Sequence, residues 1–182
     1  MNLEDIIKGC KKNNPGAQAQ LYRLYKDVLY TLSLKYCKNE EEAQDNLHNA
    51  FIEIFTGIDK FKNAGSFEGW IKRITINKAI DSYRKTLQLV PIKDDVSDTD
   101  VTDAEMDLPA SDILAIVQEL PSQYRIIFSL YELDNHSHKE IAEMLGISES
   151  TSKSNLHRAK AILKEKLRAK HSYRNYNVSN GE

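Results

Sequence analysis

The chain reads as all-α: two small helical domains joined by a flexible acidic linker. Three observations predict this. Apolar residues recur at helical spacing along most of the sequence, with no alternating strand pattern and no two-residue hairpin turn. The stretch Leu89–Pro109 breaks that rhythm with two prolines and many aspartates. The segment Ser137–Lys160, SHKEIAEMLGISESTSKSNLHRAK, spells two helices around a glycine corner. Residues 1–88 then form the first domain, 89–112 the linker, 113–172 the second domain and 173–182 a disordered tail.

The elements follow in order. Leu3–Lys12 is a short amphipathic start, broken by Asn13-Asn14-Pro15-Gly16. Ala17–Tyr36 repeats Leu21, Leu24, Tyr25, Val28, Leu29, Leu32 and Tyr36 at helical spacing. Glu40–Gly57 carries an apolar stripe of Ala43, Leu47, Ala50, Phe51, Ile54 and Phe55. Asp59–Phe67 is a loop containing Asn63-Ala64-Gly65, and Ser66 can cap the helix Phe67–Lys85. Leu89–Pro109 lacks periodicity and reads as a solvated linker. Ser111-Asp112 can cap a helix with Ile113, Ile116, Val117 and Leu120 on its apolar positions. Pro121 marks a break, and Tyr124–Leu133 forms another helix.

In the glycine-corner segment, Ser137 and Glu140 make a capping box. Ile141, Ala142 and Leu145 give the first helix its inward face, and Ala142 is small enough for a close crossing. Gly146 stands where a left-handed residue ends a helix at no steric cost. Ile147 plugs the corner, and Ser148 is a good N-cap for the next helix. This is the layout of a DNA-reading helix-turn-helix, whose second helix lies in the major groove. On that helix Ser152, Leu156, Ala159 and Leu163 share the inward face. Ser150, Lys153, Ser154, His157 and Arg158 share the opposite one, offering donors to guanine O6 and N7, to other base edges or to phosphates. Thr151, Lys160 and Lys164 lie toward the DNA backbone. Taken alone, the same face also fits a solvated basic helix end that complements the macrodipole. Leu163 and Leu167 prolong the helix, and the tail from Ser172 looks frayed.

Charge supports a partitioned chain. The net charge of −2 combines 14 basic and 11 acidic residues in 1–85, 1 and 8 in 86–112, and 10 and 8 in 113–182. Lys153–Arg174 holds 8 basic residues against Glu165 alone. A near-neutral total argues against tight non-specific coating of DNA, which needs many phosphate contacts. No apolar run reaches the roughly 18 residues of a membrane span. The N-terminal residues lack the apolar core of a secretory signal. Cys10 and Cys37 stand apart with no ligand spacing, as two reduced thiols of a cytoplasmic protein would. His136 and His138 flank Ser137 without a partner Asp or Cys, so neither a metal nor a nucleophile–base pair is indicated. The glycines are scattered singly, with no phosphate loop. No catalytic residue, cofactor, metal or small-molecule substrate is expected.

A longer pattern surrounds the motif. Leu120-Pro121, Arg125, Phe128, Leu130, Glu140-Ile141-Ala142, Leu145-Gly146-Ile147, Thr151, Lys153-Ser154, Leu156 and Arg158-Ala159 resemble domain four of bacterial sigma factors. Ala43, Asp45, His48, Ala50 and Phe51, followed by Ser66-Phe67, Trp70-Ile71, Ile74, Asn77, Asp81 and Arg84, resemble domain two of the same family. Both patterns, in this order and with a short linker between, are similar to an extracytoplasmic-function (ECF) RNA polymerase sigma factor of the sigma-70 family, over roughly residues 10–170.

That resemblance implies core RNA polymerase and promoter DNA as partners, and an anti-sigma factor as a regulatory partner that the sequence does not identify. Domain two would dock on polymerase through Asp45, Asn49, Ile52 and Glu53, which lie off the apolar stripe. An exposed Ile52 suits a partner groove, although single exposed isoleucines are also common. The same domain would hold the melted −10 element through Lys62, Asn63, Asn77, Lys78, Ser82, Tyr83 and Arg84. Captured single-stranded bases need an enclosed pocket and a cationic rim, and residues 72–85 hold five Lys and Arg against Asp81. Phe67 and Trp70, at helical spacing with Ile71 and Ile74, fit core packing better than base stacking. Asp81 fits a structural partner for a nearby cation. Domain four would read the −35 duplex through Ser150, Thr151, Lys153, Ser154, His157, Arg158 and Lys160. The acidic linker either enters polymerase channels meant for nucleic acid or serves as a soluble tether.

Two positions depart from the family pattern. Ser152 replaces the usual Val on the inward face, where its hydroxyl can bond a carbonyl one turn earlier. Asn155 stands where many relatives carry Arg, removing one cation from the reading helix. The alternative function is a stand-alone helix-turn-helix regulator binding an operator, against which the two-domain match tells.

Overall fold

A computed structural model of the chain describes residues 2–62, 65–87 and 110–179. The described residues are helical, with no strand among them. The chain divides into two compact units between Leu89 and Val90. The linker expected at 89–112 lies outside the described residues up to 109, and the next helix already begins at Ala110.

In the first unit, asparagine caps open three helices. Asn2 Oδ1 accepts from the Asp5 N–H at 2.9 Å to start α1 (Leu3–Lys11). Asn14 does the same for Ala17 at 3.0 Å, with Pro15 first in α2 (Pro15–Tyr36). Asn39 caps α3 (Glu40–Gly57) through the Glu42 N–H at 2.8 Å, and Glu40, Glu41 and Glu42 complement that helix end. A 3₁₀ turn, Ile58–Lys60, follows α3, and α4 spans Phe67–Leu87. Gly9 lets α1 lie close on α2: a Cβ there would sit 2.6 Å from that of Ala17. Leu21, Leu29, Ile54, Ile58 and Ile71 form the fully buried centre. Leu24 and Val28, expected on the apolar face of α2, are exposed because the core meets the Leu21–Leu29–Leu32 side.

Asn46 is a polar node within this core. Its amide donates to Ser33 Oγ at 2.9 Å and to the Thr75 carbonyl at 3.2 Å, tying α3 to α2 and α4. Phe67 is buried and Trp70 half-buried, both in an aromatic cluster with Phe61 at centroid distances of 5.1 and 5.5 Å from it. Tyr25 reaches Phe67 at 5.9 Å. The cluster holds the two ends of the loop between the 3₁₀ turn and α4.

The second unit contains α5 (Ala110–Gln118), α6 (Ser122–Phe128), a π-helical turn (Ser129–Leu133), α7 (His138–Leu145) and α8 (Glu149–Ser179). The helix expected over Tyr124–Leu133 thus starts earlier and widens in its last five residues. Ile116, Val117, Ile126, Ile127, Leu130 and Ile141 form its buried centre. Arg125 is buried too, its guanidinium donating to the Gln118 and Leu120 carbonyls at 3.0 and 2.8 Å and to Ser122 Oγ at 3.0 Å. The cation therefore sits among carbonyls at the end of α5, where the helix dipole favours it. The tail expected to be disordered from 173 continues α8 to Ser179, since residues 149–179 contain neither Gly nor Pro to stop it.

Candidate nucleic-acid interface

The helix-turn-helix is built by local chemistry. Ser137 and Glu140 form a full capping box: Glu140 Oε2 accepts from the Ser137 N–H at 2.8 Å, and Ser137 Oγ accepts from the Glu140 N–H at 3.3 Å. The Ser137 N–H, and then the Ser137 hydroxyl donating to the same carboxylate oxygen at 2.8 Å, hold the Glu140 carboxyl below the usual carboxylate range. Gly146 ends α7 at φ 69°, in the left-handed region. Ser148 Oγ accepts from the Thr151 N–H at 3.0 Å and opens α8. Of the three residues expected inward on α7, Ile141 is fully buried, while Ala142 and Leu145 are half-buried.

On α8, Ser152, Leu156, Ala159 and Leu163 are buried as expected. Ser150, Lys153, Ser154 and His157 are exposed on the opposite side, with Arg158 half-buried at its flank. The hydroxyls are partly committed. Ser150 and Thr151 each contact Ser148 Oγ at 2.8 Å, and Ser154 donates to the Thr151 carbonyl at 3.1 Å. Lys160 lies at the other flank, its ammonium 2.8 Å from Glu132.

Two expectations for α8 are corrected. Asn155 is not on the exposed face: it is 3% exposed, and its Nδ2 has no hydrogen-bond partner. Its spacing with Ser152, Leu156 and Ala159 carries it inward. Ser152 meets the ring of His138, with Nδ1 and Oγ 2.9 Å apart. His138 is more than the polar helix start its sequence position suggests, for it also stacks on Tyr131 with centroids 4.4 Å apart and planes at 21°. Burial, then the Lys153 charge, push its imidazole pKa down against an opposing pull from Glu149.

In the first unit Asp45, Asn49 and Ile52 are exposed on α3, Ile52 at 62%. Glu53 adjoins them but is engaged, its carboxylate 3.0 Å from the Lys78 ammonium of α4. The docking set and the −10 set are therefore joined by an ion pair, which separate helices conceal from sequence reading. Lys62 and Asn77 are exposed, as are Ser82 and Arg84; Arg84 lies 3.9 Å from Asp81, the cation partner expected of that aspartate. Tyr83 departs from the set: it continues the Ile76–Ile80 line, is half-buried, and burial pushes its phenol up to about 12. Asn63 lies outside the described residues. Among the described residues no helix is long and apolar enough to cross a membrane.

A two-unit helical protein with a helix-turn-helix in its second unit has the architecture of a DNA-binding protein, and comparisons with known proteins fix which kind. Residues 21–87 match the model for sigma-70 region 2, and residues 110–163 the model for sigma-70, region 4. The ECF RNA polymerase sigma factor SigW of Bacillus subtilis is 31% identical over 183 residues, covering 92% of this chain and 98% of its own length. SigM of the same organism is 28% identical, covering 80% of this chain and 91% of its own. Among solved structures, the sigma factor RpoE of Bartonella quintana, crystallised with the anti-sigma factor NepR, has a similar fold. Its TM-score is 0.52 at 21% identity, over 82% of this chain and 96% of that one. The chain belongs to the ECF RNA polymerase sigma factors of the sigma-70 family. It binds core RNA polymerase and promoter DNA and directs promoter-specific transcription initiation, a function in which sigma factors are generally non-catalytic.

Proposed function

We propose that the two units divide promoter recognition between named surfaces. Residues 113–172 read the −35 duplex, with Lys153, Ser154 and His157 facing base edges and Ser150, Thr151, Arg158 and Lys160 facing the rim of the groove. Residues 1–88 dock on polymerase through Asp45, Asn49, Ile52 and Glu53, and hold the melted −10 strand with Lys62, Asn63, Asn77, Lys78, Ser82 and Arg84. Tyr83 supports that helix from the core side. The observation that carries the reading is the exposed Lys153–Ser154–His157 face on a helix whose opposite face is buried. A basic, solvated face on a rigidly capped second helix is what groove entry requires.

The factor has no enzymatic activity of its own, acts in the cytoplasm and takes no cofactor. An anti-sigma factor regulates it, as NepR accompanies RpoE in the Bartonella structure. Purified chain added to core polymerase starts RNA at a cognate promoter in run-off transcription, where core alone does not; equal output from both rejects the reading. Lys153→Ala, at base edges, weakens −35 binding by about 1–3 kcal/mol, and Arg158→Ala, at the rim, weakens binding about equally across sequences and lowers its salt dependence. Unchanged footprints in both variants reject the assigned face.

A further inference from the structure

We propose that His138 and the π turn Ser129–Leu133 form a two-point cradle that fixes the rotation of α8 on promoter DNA, making His138, Ser152 and Glu132 positioning residues for −35 readout. The inference rests on the assignment of α8 as the duplex-reading helix. At the first point, the Ser152 hydroxyl is fully buried and lies 2.9 Å from His138 Nδ1. The imidazole is itself held, stacked on Tyr131 of the π turn at 4.4 Å. Its backbone is the first residue of α7, fixed by the capping box. At the second point, Glu132 of the same π turn holds the Lys160 ammonium at 2.8 Å. Widened turns of this type recur at functional sites.

The points are eight residues apart, about 12 Å along the helix axis. They bracket Lys153, Ser154 and His157. The buried Leu156, Ala159 and Leu163 already keep α8 from rolling far, and the two directed contacts narrow the small rotations that apolar packing tolerates. Rolling matters because directed contacts tolerate only about 0.5 Å or 10–20° of misplacement. The departure at Ser152 acquires a purpose here. A Val packs by contacts that have no direction, whereas the hydroxyl makes a bond that does.

The test uses the full chain assembled with core RNA polymerase and a DNA duplex library randomised over the −35 segment, sequenced after capture. His138→Phe keeps a ring against Tyr131 and removes the nitrogen, and Glu132→Gln removes the charge that draws Lys160 in and weakens that contact. Each is expected to lower enrichment of the wild-type motif about three- to ten-fold, the scale of one hydrogen bond. Total DNA retained stays at the wild-type level, and enrichment is read well below the melting midpoint of every variant, because His138→Phe leaves the buried Ser152 hydroxyl unpaired and lowers that midpoint. Ser152→Thr restores the motif, and His138→Phe/Ser152→Ala is no worse than either change alone, since both remove one bond. Should His138→Phe fail to fold, Ser152→Ala and Glu132→Gln decide. Wild-type enrichment in those variants overturns the cradle, as does a loss that merely follows melting temperature. A wild-type chain that enriches no motif overturns the duplex-reading assignment itself, and the cradle with it.

Discussion

Replacing Asn46 with alanine should destabilise the first unit by about 2–3 kcal/mol, from two lost hydrogen bonds at roughly 1 kcal/mol each and one buried acceptor left unpaired. The structure sets the terms. Asn46 is 6% exposed, and its amide donates to Ser33 Oγ and to the Thr75 carbonyl. Ser33 cannot turn to fill the gap, because its hydroxyl already donates to the Leu29 carbonyl at 2.8 Å. In a domain of this size 1 kcal/mol moves the melting midpoint about 4–8 °C, so a fall of roughly 10–20 °C is expected. Trp70 is the only tryptophan and packs on Phe61 and Phe67, so its fluorescence follows this unit within the intact chain. A companion series sharpens the assay: in an Asn46→Leu background, Ser33→Ala should be neutral or stabilising, since donor and acceptor are then removed together. A midpoint unmoved in Asn46→Ala, or a Ser33→Ala that costs as much in the Asn46→Leu background as in the wild-type chain, would refute the node.

Three further outcomes follow from the second unit. Asn155→Leu removes a buried amide nitrogen that bonds nothing and should raise that unit's stability by about 1 kcal/mol, read from melting followed by far-ultraviolet circular dichroism. Gly146→Ala should cost about 1 kcal/mol through backbone strain at φ 69°, because beyond its own and neighbouring residues nothing lies within 4 Å of the added Cβ; an unchanged urea midpoint would contradict this. Because burial and Lys153 hold the His138 pKa below 6.5, the unfolded chain takes up the proton first as pH falls. Its contribution is therefore fully present above pH 6.5 and is lost as pH drops through the lowered value. Urea midpoints at neutral and mildly acid pH should show that slope in wild type and lose it in His138→Phe.

Much of this architecture is written locally. The capping box at Ser137 and Glu140, the left-handed Gly146 and the Ser148 cap depend on neighbours within four residues, so pattern alone locates the helix-turn-helix. The apolar stripe of α3 is equally legible, because Ala43, Leu47, Ala50, Phe51 and Ile54 all face one packing surface. Legibility fails where a role depends on a second element. Asn155 reads in sequence as a missing cation on the DNA face, yet the helix turns it inward. Tyr83 reads as part of a cationic rim, yet it follows the Ile76–Ile80 line toward the core.

The sequence by itself therefore determined most of the helices, the caps at Ser66, Ser137 and Ser148, the two-domain order and the family pattern that spans both, whereas the asparagine caps of α1 to α3 went unread and the cap expected at Ser111-Asp112 falls inside α5. Those properties follow from short-range periodicity and from motifs read in chain order. Tertiary structure alone decided which polar groups meet: Asn46 with Ser33 and Thr75, Glu53 with Lys78, Ser152 with His138, and Lys160 with Glu132. Each contact joins residues at least 13 positions apart, where helical periodicity carries no information about distance. The reading face can be recognised from one helix, but the angle at which it is held comes from the elements packed behind it.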